Sequence, residues 1–324
     1  MDRMGKGGHM RKIYQSVWIE LPYPVFQITN VRMEMGKNMH TFLQITAVCE
    51  EEKWEDIVNY PVEKEKIQAG FLDHELFGIP FFVGRILSAT TNYDKGQLTL
   101  ELLAVSMTYS WNIVRRKRSF QNLDATYDEI IKQVLSAYPG ASWISCADTQ
   151  KKVPGLLLQY DETDWEFLCR LATHFETFLI EEPAGEYGQI YFGMPSFDFG
   201  KQMDAQAYHI MQNMAKYQSY TKNVAPEMML QDNLSWQVVS RQACKLGENV
   251  WWKQVSCQIT SIIMEVHESE LWYLYGLERT KGVKSYYSGN PRISGLSLPA
   301  VITVWERKFS GSSYRQLMIA EREN

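Results

Sequence analysis

Four carboxylates crowd into six residues at Asp161, Glu162, Asp164 and Glu166. A glycoside hydrolase needs two such groups across a sugar, one to protonate the leaving oxygen and one to attack or activate water. The spacing accounts better for a helix start. Thr163 stands three residues before Glu166, as in a capping box. There the hydroxyl takes the Glu166 N–H and the carboxylate reaches back to the Thr163 N–H. Asp164 lies in the first turn, where the helix dipole favours negative charge. Asp161 and Glu162 are then expected to face water.

Other chemistry is sparse. The histidines (His9, His40, His74, His174, His209, His267) include no i, i+4 pair and no H-E-x-x-H, so no metal is expected. His174 is expected on the solvent side or in a turn. There is no G-x-S-x-G elbow and no Gly-rich phosphate loop, so no cofactor is expected. Cys169 falls inside the capped helix and is expected to be buried and inert. The run Arg115-Arg116-Lys117-Arg118 could meet nucleic acid, but the chain carries a net charge of −5. A strand edge, a channel lining or a contact to acids of a neighbouring protomer fits it better. Trp251-Trp252 with Trp272, Tyr273 and Tyr275 could form a sugar platform. Strand alternation instead sends one face of that cluster into a core or a subunit contact.

The elements that hold these residues follow from periodicity. After the cap, Leu168, Leu171, Ala172 and Phe175 recur at helical spacing, with Glu166 and Arg170 as an exposed i, i+4 pair. Residues 177–180 and 189–192 read as strands around a turn at 183–188, giving a capped helix that feeds a hairpin. Thr126 and Glu129 form a second capping box before Ile130, Ile131, Val134 and Leu135, and Pro139-Gly140 stops that helix. Upstream, residues 26–35, 42–48, 81–89 and 98–102 read as strands, the last two joined through Asn92-Tyr93-Asp94-Lys95-Gly96. Residues 54–66 read as a charged loop. Residues 197–225 fit a strand-and-loop link or a short helix. A second β region covers 234–243, a hairpin of 250–266 with 271–278, a turn at 289–291, and a last strand at 296–304. The interval between Ile86 and Leu98 matches that between Ile259 and Leu271, and each pair flanks a polar turn.

With 324 residues, 45% hydrophobic and 13% aromatic, the chain is globular, rich in β structure and long enough for more than one domain. Its five cysteines make no C-x-x-C, and buried, reduced thiols are expected. No apolar run approaches the ~18 residues of a membrane span. The first ten residues lack the apolar core of a signal peptide, so cytoplasmic assembly is expected.

The string Gln159-Tyr160-x-Glu162-Thr163-Asp164-Trp165-Glu166-Phe167-Leu168-x-Arg170-Leu171-Ala172, followed by Phe192-Gly193-Met194-Pro195, resembles the signature of the phage late control D and VgrG family. Members are trimeric hubs of contractile phage tails, tailocins and type VI secretion systems. Tyr109, the run from Arg115 to Asn122 and the Thr126 helix are similar to a second family segment. The resemblance implies an α+β, mainly β chain with two tube-like antiparallel barrels and an α+β module with two capped helices. The divisions expected are a leader or tag (1–15), a first barrel (16–118), the module (119–200), a second barrel (201–304) and a charged tail without β repeat (305–324). It further implies a non-enzymatic homotrimer that adapts a hexameric tail tube to a separate trimeric spike. Other baseplate proteins would be partners, nucleic acid would not, and the chain itself would not enter a membrane. It would be assembled in the bacterial cytoplasm and then reside in a virion tail or contractile particle. The competing expectations are a tail-associated cell-wall hydrolase and a carbohydrate-binding tail module.

Overall fold

The computed structural model describes residues 10–50, 52, 66–72, 78, 80–195, 197–223, 229–267, 270–280, 300–310 and 313–322. The expected leader up to residue 9, most of the charged loop and the turn at 289–291 lie outside the described residues. The chain divides into two units, Met1–Ser288 and Gly289–Asn324.

The first unit opens with strands β1 (Met10–Tyr14), β2 (Val17–Leu21), β3 (Val25–Gly36) and β4 (Phe42–Cys49). Strands β5 (Lys66–Phe71), β6 (Pro80–Asp94) and β7 (Gln97–Ser106) follow. Alternation fixes their faces. Leu43, Ile45 and Ala47 of β4 stand opposite Ala104, Leu102 and Leu100 of β7, and all six are buried. One face of the ladder is therefore core and the other is polar. Part of the expected leader is thus strand β1, paired to β2.

The module contains β8 (Arg115–Phe120), helix α1 (Tyr127–Leu135), β9 (Ser142–Ser145), β10 (Leu157–Thr163) and helix α2 (Asp164–Thr173). The hairpin β11 (Leu179–Glu182) and β12 (Gln189–Phe192) completes it. Its core is separate from that of the large sheet and gathers Ile130, Ile131, Val134, Leu168, Leu171 and Phe192.

The link that admitted two readings, from residue 197, holds both kinds of element: β13 (Phe197–Gln202), β14 (Ala207–Gln212) and helix α3 (Met214–Asn223). Strands β15 (Leu234–Ser240), β16 (Glu248–Trp252), β17 (Val255–His267) and β18 (Glu270–Arg279) follow. One 13-stranded sheet carries both β regions, because β3 pairs antiparallel with β17. Its path runs openly from β1 to β14, and no barrel closes by hydrogen-bonded strands among the described residues. Both ends curl: the Tyr14 hydroxyl donates to the Thr29 carbonyl at 2.6 Å, and the rings of Tyr208 and Trp252 meet at 5.3 Å.

The sheet contains a five-strand repeat. The path β5-β6-β7-β4-β3 recurs as β16-β17-β18-β15-β14, with the strands in the same chain order. The β6–β7 ladder slips at Leu87, and the β17–β18 ladder slips at Thr260, the equivalent position. The hairpin interval seen in the sequence is one part of this larger repeat.

In the second unit, β19 (Ala300–Ser310) pairs antiparallel with β20 (Ser313–Arg322). The segment expected as a charged tail without β repeat (305–324) carries the end of β19 and all of β20.

Candidate functional site

Both helices of the module, α1 and α2, begin with a closed capping box. At α2 the Glu166 N–H donates to Thr163 Oγ1 at 3.1 Å, and the Thr163 N–H donates to Glu166 Oε2 at 2.9 Å. Thr163 Oγ1 also donates to Asn112 Oδ1 at 2.7 Å. Asp161 lies in the left-handed region at φ 52°, inside a bulge where the β10–β8 register slips. The slip turns the following carboxylate inward.

The acids expected in water are only partly there. Glu162 is buried, and Arg170 grips it through two hydrogen bonds of 2.8 Å while also reaching the Leu158 carbonyl. Arg170 therefore pairs with Glu162, and the expected surface pair with Glu166 is not formed. Burial favours this choice, because a desolvated carboxylate needs a close bidentate partner. Asp164 is buried as well, held by Arg118, by Gln159 Nε2 at 2.9 Å and by the Tyr138 hydroxyl at 2.8 Å. Desolvation pushes the Tyr138 phenol up to about 12, and the bond to Asp164 adds to the shift.

The basic run finds its acids within the chain. Arg118 donates to Gln159 Oε1 at 2.6 Å and to Asp164, while Arg116 lies 3.7 Å from Asp164. Arg115 meets Glu166 at 3.2 Å, and Lys117 sits over the Tyr160 ring at 5.1 Å. Strand β8 is an arginine clasp on the start of α2.

The aromatic and apolar signature residues form the other side. Phe167 stacks on Phe120 at 5.3 Å, Trp165 lies 4.0 Å from the His40 ring, and Leu168, Leu171, Ala172 and Phe192 are fully buried. Gly193 has φ +105°, a conformation that favours glycine, and a side chain there would press on Cys146 at 3.1 Å. The Pro195 carbonyl lies against Gly247 of the second β region. His174 caps the C-terminus of α2 with its Nδ1 2.7 Å from the Tyr127 hydroxyl, and burial lowers its pKa to about 4. Cys169 is only partly buried; desolvation pushes its thiol well above the usual range.

The turn between β3 and β4 joins the module to both β regions. The Asn38 N–H donates to the Leu179 carbonyl and its Oδ1 accepts from the Leu179 N–H, both at 2.8 Å. Lys37 reaches Glu278 of β18 at 2.6 Å. The Thr41 N–H and the Thr108 hydroxyl each donate to the buried Glu181 carboxylate at 2.6 Å. Thr108 is also 2.9 Å from Nδ1 of His40. Burial lowers the His40 pKa to about 4 and raises that of Glu181, whose hydrogen bonds oppose the rise.

This architecture recurs among solved structures at low sequence identity. The E. coli c3393 protein is a type VI secretion system component with structural similarity to the T4 bacteriophage tail proteins gp27 and gp5. It matches with TM-score 0.61 and 11% identity, over 90% of this chain and 85% of its own. The 43 kDa tail protein of prophage MuSo2 from Shewanella oneidensis matches at 0.60 and 12%, over 79% and 95%. The tail protein from Neisseria meningitidis MC58 matches at 0.59 and 10%, over 84% and 98%. This is the gp27-like tail-protein fold. No protein-family model matches the chain, and no curated protein matches it by sequence.

Within this gp27-like fold, sequence reasoning missed His40, Thr108 and Glu181. Their signal was faint: a polar turn after β3 and the first of two acids that end a four-residue strand. The tryptophan pair splits as alternation requires, with Trp252 buried and Trp251 exposed. Trp272 lies under Arg241 at 4.4 Å, and Tyr275 is fully buried.

Proposed function

We propose that the chain is a structural hub of a contractile injection machine and works as a homotrimer. The observation that carries this reading is the five-strand repeat. Two alike units per chain and three chains make six alike units about a three-fold axis. Such a ring suits a six-fold tail tube on one side and a trimeric spike on the other. The fold shared with tail proteins over most of the chain supports the same reading.

In this reading strands β1 to β7 and strands β13 to β18 act as two tube-like barrels, and the module from β8 to β12 braces them. The curl at Tyr14–Thr29 and at Tyr208–Trp252 supports the tube shape. The signature residues from Gln159 to Pro195 are structural. A tube protein, a separate spike and other baseplate proteins are the partners, and the working location is the tail or baseplate of the particle. The role is non-enzymatic. Asp164 is committed to Arg118, Glu162 to Arg170 and Glu166 to the cap, which leaves a hydrolase no carboxylate pair there.

Light scattering on the purified chain, alone and mixed with its tube and spike proteins, tests this. A mass of three chains is expected. A chain that stays monomeric in every mixture overturns the reading. Clearing of cell walls that disappears in Glu162→Gln would favour the hydrolase instead.

A further inference from the structure

A cavity of about 520 Å³ lies between the β11–β12 hairpin and the large sheet. Protein interiors leave few voids larger than a water molecule, whereas pockets for small ligands span roughly 300 to 1,000 Å³. One wall is the β3–β17 ladder, where Met33 stands opposite Met264 and Met35 opposite Ile262. The hairpin supplies a second wall through Ile180, Pro183 and Tyr191. It is pinned at two points. Asn38 holds Leu179 by two bonds, and the Val83 N–H donates to the Pro183 carbonyl at 2.8 Å. A hairpin fixed at both places cannot settle onto the ladder, so the space between them is kept open.

The third wall carries the charge. It is the segment joining β15 to β16, from Ala243 to Glu248. The buried Glu248 carboxylate accepts the Lys245 N–H at 2.9 Å and lies 3.2 Å from Lys201 Nζ. Lys245 Nζ sits over the Phe197 ring at 5.7 Å and has no carboxylate partner among the described residues. Glu182, on the hairpin wall, takes the Tyr191 hydroxyl at 3.4 Å.

We propose that this cavity binds a small anionic amphiphile of the fatty-acid class, with its chain along Met33, Met35, Ile262 and Met264 and its head on Lys245. Methionine is unbranched and polarizable, so a wall rich in it moulds to a flexible apolar chain. Lys201 and Glu248 answer one another, and an anionic head supplies the charge that Lys245 lacks. A cationic head would instead meet two lysines on the third wall. The site lies within one chain, so its test is independent of the hub reading.

Fluorescence of dansyl-aminoundecanoic acid on the full chain tests the proposal, with competitors of equal chain length held below their micellar concentrations. The probe should brighten on binding. Dodecanoate should displace it about fivefold better than dodecanol, the scale of one exposed ion pair. Dodecylammonium should be the weakest of the three. Lys245→Ala should bring dodecanoate down to the level of dodecanol. Ala243→Trp changes an exposed residue of the third wall and should abolish probe binding without moving the melting curve. Cys244 stands in that wall and gives a second readout. Burial pushes its thiol up to about 11, so its modification is slow enough to time. In a Cys146→Ser background, which removes the exposed native thiol, dodecanoate should slow maleimide modification of Cys244, read by peptide mass. No probe binding overturns the proposal. So does binding that survives Ala243→Trp and leaves Cys244 unprotected, because the probe then sits elsewhere. Equal displacement by all three competitors, or a preference for dodecylammonium, overturns it as well.

Discussion

The two helix starts of the module carry the same local device under different loads. At α1, Thr126 and Glu129 close a capping box with bonds of 2.9 and 3.3 Å. At α2, Thr163 and Glu166 close one with bonds of 2.9 and 3.1 Å. Around α1 the acids are solvated: Glu129 is exposed and Asp128 half-buried. Around α2, Glu162 and Asp164 are buried and held by arginines. A cap starts a helix; the buried ion pairs fix which surface that helix must dock against. The difference can be broken by removing partners and sharpened by removing caps.

The largest effect is expected from the Glu162–Arg170 pair. Arg170→Ala strands a buried carboxylate, and loss of one partner of such a pair costs about 3–5 kcal/mol. Chemical denaturation at fixed protein concentration should show a loss of that order. Glu129→Ala at α1 should cost well under half as much. Equal losses would mean that the Glu162 site readmits water.

The pH dependence comes next. The His40 pKa falls from about 6.5 to about 4 on folding. Below 6.5 the unfolded chain takes up a proton that the folded chain refuses, so stability is lost as pH drops towards 4. His174 acts in the same direction. Glu181 opposes them, since its raised pKa makes the folded form the better proton acceptor as pH falls. Unfolding free energy from chemical denaturation should fall between pH 7 and 4, with His40→Gln removing about 3 kcal/mol of that fall. An unchanged slope would show that water reaches His40.

These contrasts also mark what the sequence could disclose. The caps were legible because a capping box is complete within four residues. The helices, the β11–β12 hairpin and the alternating strands β4 and β7 were legible for the same reason: their signal is local. The Arg170–Glu162 pair was hidden because it depends on the bulge at Asp161, and a positive φ at a non-glycine residue leaves little trace in residue type. The targets of Arg115 to Arg118 lie some forty residues downstream, beyond any spacing rule. The repeat was visible only through one hairpin. Strand β14, Ala-Tyr-His-Ile-Met-Gln, is exposed on both faces and so lacks the alternation that makes β3 readable.

The smallest expected effects sharpen the comparison most. Thr126→Ala and Thr163→Ala each remove one cap, worth about 1 kcal/mol. If a cap acts only on its own helix, the two losses should agree within a few tenths of a kcal/mol. Thr163 also donates to Asn112, which ties α2 to the 3-10 turn Met107–Asn112 that carries Thr108. The Thr163 loss should therefore exceed the Thr126 loss, and Asn112→Ala should erase the excess. A double-mutant cycle on Thr163 and Asn112 reads that coupling directly. A coupling of zero would reduce Thr163 to an ordinary cap and leave the ion pairs alone to orient α2.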